Sequence, residues 1–227
     1  MPYKNNEFSL ITTKSQPLIP PYSLVLFLLS IAGGVFIWYS GLNQEVFLLI
    51  NHQHGILPDD VWLAFNMLSY SKYFILPTLL ILATILLRRD KLLNVILLIG
   101  AYFVLFAALK HLIGEARPYI VLPQDSFFWL NQYENAVKSA HLSFPSGHTG
   151  NVAVFAFGLN YLLFANKKWL QFLMFMLVIM VALARICTGW HWPLDVLASS
   201  LIGYVLVKII LAPDLRNLLR KKEHVRY

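Results

Sequence analysis

Three short clusters hold the polar residues most in need of a chemical explanation: KHLIGEARP (Lys110–Pro118), PSGH (Pro145–His148) and ARICTGWHWPLD (Ala184–Asp195). Lys110 and Arg117 are seven residues apart, two helical turns, so they share a face if that stretch is helical. Pro118 biases Arg117 away from helical geometry and predicts a helix end there. The same pair also reads as long basic side chains snorkelling to an interface. In PSGH, Pro145 suits a helix start and Gly147 lets backbone approach a ligand closely. Free N–H groups at that N-terminus, with the helix dipole, form an anion site. Ser146 adds a hydroxyl donor, and His148 can give a proton to a departing oxygen. Taken alone, these four residues also describe an ordinary helix cap with an interfacial histidine.

His191 and Asp195 have i,i+4 spacing, so the carboxylate reaches the imidazole across one turn. Such a partner fixes the tautomer and leaves the other ring nitrogen as base or nucleophile. With Pro193 as a first helical residue, Asp195 also reads as a cap on its own helix. Gly189 allows a turn between Arg185 and His191, which would not share a face of one straight helix. Jointly the clusters supply three cations, a helix-end anion hole and two histidines, one of them paired with a carboxylate. Phosphoryl transfer needs little more: charge stabilisation, an in-line nucleophile and a proton for the leaving oxygen.

The elements that must position these groups are apolar helices. Of 227 residues, 58% are hydrophobic and 13% charged, about half the charged fraction of a soluble domain. Apolar runs at Tyr22–Tyr39, Tyr73–Leu87, Leu92–Leu109, Thr149–Ala165, Trp169–Ala184 and Leu194–Leu211 predict six spans in a single domain, 1–227, of all-α class. The first run follows a polar leader too long for a cleaved signal peptide and is expected to be retained. Between it and the second run, EVFLLINHQHGILPDDVWLAFNMLSYS is broken by Gly55 and Pro58 and reads as interfacial segments on the outer side. The connection DSFFWLNQYENAVKSAH, with Phe127, Phe128 and Trp129, is expected to lie in the headgroup region.

The net charge of +7 forms no single patch, which argues against nucleic acid as a partner. Instead the basic residues orient the bundle. Lys4, Lys14, Arg88, Arg89, Lys91, Lys167, Lys168, Arg216, Arg220, Lys221, Lys222 and Arg226 fall on the side of the termini; only Lys72, Lys110, Arg117, Lys138 and Arg185 fall opposite. Twelve against five places both termini in the cytoplasm. All three polar clusters then sit at outer ends of spans three to six. The lone cysteine, Cys187, excludes an internal disulfide, and the isolated His52-x-His54 pair lacks a metal-site pattern.

At this point the chain resembles the type-2 phosphatidic acid phosphatase family of membrane lipid phosphatases. That family's pattern is K-x6-RP, then PSGH, then SR-x5-H-x3-D. Here it reads Lys110 to Arg117-Pro118, Pro145-Ser146-Gly147-His148, then Arg185, His191 and Asp195, in order and across 110–195. Ala184 stands where the family usually has serine, and altered tuning is expected from the missing hydroxyl. The resemblance implies a metal-independent, cofactor-free, two-step reaction. His191, oriented by Asp195, would attack phosphorus to give a phosphohistidine, and His148 would protonate the leaving oxygen. Lys110, Arg117, Arg185, Ser146 and the Gly147 N–H would hold the phosphate.

The expected substrate is a lipid phosphate with its headgroup at the outer interface: a polyprenyl diphosphate, phosphatidylglycerol phosphate, phosphatidic acid or a lipid A phosphate. The charge pattern fits a bacterial inner membrane with a periplasmic site. A phosphotransferase would use the same residues, and a lipid-phosphate-binding membrane protein without activity would keep the anion pocket. The expected partners are the lipid and the bilayer; nothing in the sequence sets an oligomeric state.

Overall fold

The computed structural model describes residues 21–130 and 137–211. Among these there are helices and no strands. A helix occupies each of the six apolar runs: α1 (Pro21–Ser40), α4 (Ile75–Leu87), α5 (Leu92–Ile113), α7 (Gly147–Leu162), α8 (Lys168–Cys187) and α9 (Pro193–Leu211). Shorter helices intervene: α2 (Asn43–Asn51) and α3 (Asp59–Ser69) after α1, and the single turn α6 (Pro118–Val121) after α5. Among the described residues three helical stretches are long and apolar enough to cross a membrane: Arg89–Val121, which contains α5, then Lys168–Cys187 and Pro193–Leu211. Ser30–Ser40 and Ile75–Leu87 are apolar but shorter.

The pattern of exposure is that of a protein solvated by lipid. Leu86 is 73% exposed, Val104 72% and Ile209 64%. A water-soluble chain does not present a contiguous belt of such side chains. The interior collects around α7, which packs on α9, α8, α4 and α5. Gly150 on α7 explains how closely α5 approaches: a Cβ there would lie 2.2 Å from Cε1 of Phe106. Small residues let helix backbones meet where apolar burial between helices gains little over lipid. At sixteen residues, α7 is too short and too polar at its start to stand out as a span, because protein rather than lipid surrounds it.

Helix ends are closed by side chains from distant elements, which satisfy the carbonyls that helix geometry leaves over. At the end away from the polar clusters, Arg88 Nη1 donates to Leu162 O (3.1 Å) and Asn94 Nδ2 to Ile210 O (2.6 Å). At the other end, buried Asn51 of α2 donates to Ile186 O (2.9 Å) and Cys187 O (3.1 Å), the last carbonyls of α8. Its Oδ1 accepts from Phe128 N at 2.7 Å. The stretch holding α2 and α3 therefore packs on α8 rather than standing apart from the bundle.

The histidines and aromatic rings of this region meet other parts of the protein. His54 stacks on Phe128 with ring centroids 3.9 Å apart, and His52 Nε2 sits 3.1 Å from Ser126 O, so each histidine has a packing partner. Phe127, Phe128 and Trp129 turn onto protein: Phe127 meets Phe47, and Trp129 stacks on Tyr119 at 4.7 Å. Residues 131–136 of that connection lie outside the described residues.

Candidate active site

The three polar clusters meet at one end of α5, α7, α8 and α9. The arrival of Lys110 and Arg117 differs from the shared helical face expected of them. α5 ends at Ile113, and Arg117 is extended (φ −77°, ψ 159°) just before Pro118 opens α6. The two cations meet instead on a common acceptor. Lys110 Nζ donates to Leu142 O at 2.7 Å, and Arg117 Nη2 to the same oxygen at 3.2 Å. Lys110 also reaches PSGH, its Cε lying 4.0 Å from where a Cβ on Gly147 would be.

Arg117 is 7% exposed, and its fork is fully used. Nε donates to Ser139 O (2.8 Å), and Nη1 both to Trp190 O (2.8 Å) and toward His191 Nε2 (3.1 Å). A guanidinium has no acceptor. His191 Nε2 must therefore present its lone pair to Arg117, which leaves the ring proton on Nδ1. Nδ1 in turn faces Asp195 Oδ2 at 3.1 Å. The ring is thus neutral, with its basic nitrogen aimed at a cation. Burial, and after it the charges of Arg117, Arg185 and Lys110, hold the His191 imidazolium well below its ordinary range.

Arg185 comes from the last turn of α8 and is 1% exposed. The turn that brings His191 back toward it is a Schellman closure: Trp190 N donates to Arg185 O (3.0 Å) and Gly189 N to Ile186 O (3.0 Å). Gly189 has φ +75°, and a Cβ there would lie 2.7 Å from Phe128 O, so glycine is required twice over. The Trp190 ring lies 5.4 Å from the guanidinium carbons of both Arg117 and Arg185. It holds two like charges apart while attracting each.

At PSGH, Ser146 caps α7, its Oγ accepting from Thr149 N at 3.4 Å. A cap uses a lone pair and leaves the hydroxyl proton to donate, so the cap and the anion-site readings are compatible. Gly147 O accepts from Tyr102 OH (2.7 Å), which secures this turn to α5. His148 stacks against Tyr70, rings nearly parallel with centroids 5.3 Å apart, and shares the field of Arg185, Arg117 and Lys110.

Asp195 also resolves two alternatives into one arrangement. Its Oδ2 accepts from Trp192 N (3.0 Å), the N-cap contact expected behind Pro193, and from His191 Nδ1. The same oxygen closes the helix and orients the imidazole. A third donor to it, Ser143 Oγ at 2.5 Å, was not among the residues singled out from sequence. Ser143, two residues before PSGH, belongs to no motif of a single sequence; only the fold brings it to α9. Ala184, in the position of the usual serine, is fully buried against Trp62 and Cys187.

The sequence model described as the PAP2 superfamily matches residues 91–216, more than half of the chain and all three clusters. An undecaprenyl-diphosphatase of Sulfolobus acidocaldarius is 28% identical over 164 residues, 72% of this chain and 74% of that one. LpxE of Aquifex aeolicus superposes with a TM-score of 0.64 at 30% identity, over 76% of this chain and 96% of LpxE. The fold is also that of a transmembrane PAP2 type phosphatidylglycerolphosphate phosphatase from Bacillus subtilis, with TM-score 0.60, 23% identity, and 82% and 92% coverage. By family match, helical membrane fold and the convergence of its three polar clusters, the chain belongs to the PAP2 superfamily of phosphatases.

Proposed function

We propose that the chain is an integral-membrane lipid phosphate phosphatase that acts through a phosphohistidine on His191. One observation carries the reading. His191 Nε2 is unprotonated and turns its lone pair to Arg117 Nη1 at 3.1 Å, so nucleophile and phosphate-holding cation address the same point. A phosphate oxygen replacing that nitrogen as the partner of Arg117 brings phosphorus to Nε2.

In the first step Nε2 attacks phosphorus and the bond to the leaving oxygen breaks, the proton for that oxygen coming from His148. Lys110, Arg117 and Arg185 hold the equatorial oxygens, with Ser146 and the Gly147 N–H. A water oxygen then attacks phosphorus as His148 takes its proton, the bond from phosphorus to His191 Nε2 breaks with the electron pair returning to the ring, and inorganic phosphate departs. Carboxylate Asp195 balances the positive charge on His191 while it carries phosphorus. The charged groups needed at phosphorus are all side chains, so no metal has a task in the reaction.

The substrate proposed is a polyprenyl diphosphate, a reading supported by the undecaprenyl-diphosphatase relative. Six spans with α2 and α3 at the interface, cytoplasmic termini and an outward-facing site follow from the apolar runs and the charge asymmetry. The test is phosphate release from polyprenyl diphosphate by protein in detergent with EDTA. Release that survives EDTA and disappears in His191→Ala supports the reading; release that EDTA abolishes contradicts it. Phosphate appearing only when an acceptor lipid is added would identify a phosphotransferase instead.

A further inference from the structure

The His191–Asp195 pair has a second support that the three clusters do not contain. Ser143 is fully buried and stands between both partners, its Oγ 2.5 Å from Asp195 Oδ2 and 3.5 Å from His191 Nδ1. Its own backbone is tied across the site, Ser143 N donating to Glu115 O at 3.0 Å. Glu115 comes from the turn after α5 and is half-buried. Its carboxyl lies against that of Asp195.

The donor accounting at Asp195 shows what that contact must be. Oδ2 accepts from His191, Ser143 and Trp192, whereas buried Oδ1 meets no nitrogen or hydroxyl donor among the described residues. A buried carboxylate oxygen left without a donor is costly. Two ionised carboxylates cannot share a hydrogen bond, so the pair holds one proton between them. With Asp195 already committed to three donors, the proton belongs on Glu115, which then donates to Oδ1.

We propose that Ser143 and Glu115 are positioning residues that clamp the Asp195 carboxylate from both oxygens and thereby hold the His191 ring with Nε2 toward the phosphate. Neither touches the substrate. The inference rests on His191 being the nucleophile. Without the clamp Asp195 is free to rotate about its terminal bond, and His191 loses its fixed tautomer and ring angle. Outer hydrogen-bond partners that orient an imidazole are worth about 10- to 100-fold in function.

The experiment uses full-length protein in detergent with polyprenyl diphosphate, and four variants: Ser143→Ala, Ser143→Thr, Glu115→Ala and Glu115→Gln. Threonine keeps the hydroxyl, and glutamine keeps a donor to Oδ1. Ser143→Ala and Glu115→Ala should lower kcat about 10- to 100-fold with KM within about twofold, at a thermal midpoint close to that of the parent. Ser143→Thr and Glu115→Gln should recover most of the lost rate. Parental kcat in both alanine variants, or Glu115→Gln no faster than Glu115→Ala, overturns the clamp. If the extra methyl of threonine unfolds the buried site, the Glu115 pair decides alone.

Single-turnover labelling separates this inference from the reading beneath it. No labelled enzyme intermediate in the parent protein means that His191 is not the nucleophile. An intermediate that forms at the parental rate in both alanine variants leaves His191 in place and removes the clamp.

Discussion

Replacing Asp195 by asparagine removes one charge and sets an amide N–H2 where Oδ1 faced Glu115, whose carboxyl oxygen can accept from it. The amide is isosteric, and its oxygen can still accept from Trp192 N, Ser143 Oγ and His191 Nδ1, which now reach Oδ2 at 3.0, 2.5 and 3.1 Å. The helix cap therefore survives, and the thermal midpoint should stay within a few degrees of the parent. What is lost is attraction between the carboxylate and an imidazole that becomes cationic as it bonds phosphorus. At 3.1 Å and an effective dielectric constant of about 20, one such pair is worth about 5.4 kcal/mol. Each 1.36 kcal/mol is roughly tenfold in rate, so kcat should fall on the order of 10,000-fold. Because the proposed reading gives the substrate phosphate to Lys110, Arg117 and Arg185 rather than to Asp195, KM should change little. The assay is phosphate release over a substrate series at fixed detergent ratio. A kcat within tenfold of the parent, with the protein folded, would refute the charge argument and with it the role given to the pair.

Further predictions concern the same buried groups. Arg117→Lys should both inactivate and destabilise: a single ammonium cannot reach Ser139 O, Trp190 O and Leu142 O together. Ser139 O keeps Leu142 N and Leu142 O keeps Lys110 Nζ, but at least two hydrogen bonds from a charged donor are lost, each worth about 1.5–3 kcal/mol, so the thermal midpoint in detergent should drop markedly; an unchanged midpoint contradicts the bonding described. His191 gives a pH dependence of stability. Its folded-state pKa is lowered, so the unfolded chain binds a proton near about 6.5 that the folded chain refuses. The stabilisation is present above that pH and is lost as pH falls below it. Thermal midpoints should decline from pH 8 to pH 5, and His191→Asn should flatten the decline; equal slopes would count against a neutral buried imidazole.

Much of this was legible in the sequence, for identifiable reasons. Apolar runs and the polar breaks between them locate all six long helices because lipid-facing and core-facing residues alike must be apolar there. Local spacing also foretold the His191–Asp195 contact and the Ser146 cap, since both lie within one helical turn. Spacing failed where the chain leaves the helix. Lys110 and Arg117 do converge, but on the carbonyl of Leu142, because α5 stops four residues short of Arg117. Asn51, Tyr70, Ser143 and Glu115 were missed for a common reason: each acts on a partner far away in sequence. Asn51 closes α8 across 135 residues, and Ser143 reaches Asp195 across 52. A hydroxyl or amide carries no periodic signal, and its meaning comes from which carbonyl or carboxylate the fold sets opposite it. The aromatic run Phe127–Trp129 was read for its composition, whereas its rings serve as the packing beneath the Gly189 turn.

The central claim is that phosphorus passes through His191. Its most direct test is rapid quenching of the protein with polyprenyl diphosphate labelled at the terminal phosphate. The expected result is a labelled protein that is stable in alkali and labile in acid, with the label on His191 and none in His191→Ala. Phosphate released at the parental rate by His191→Ala, or a label on another residue, would contradict it.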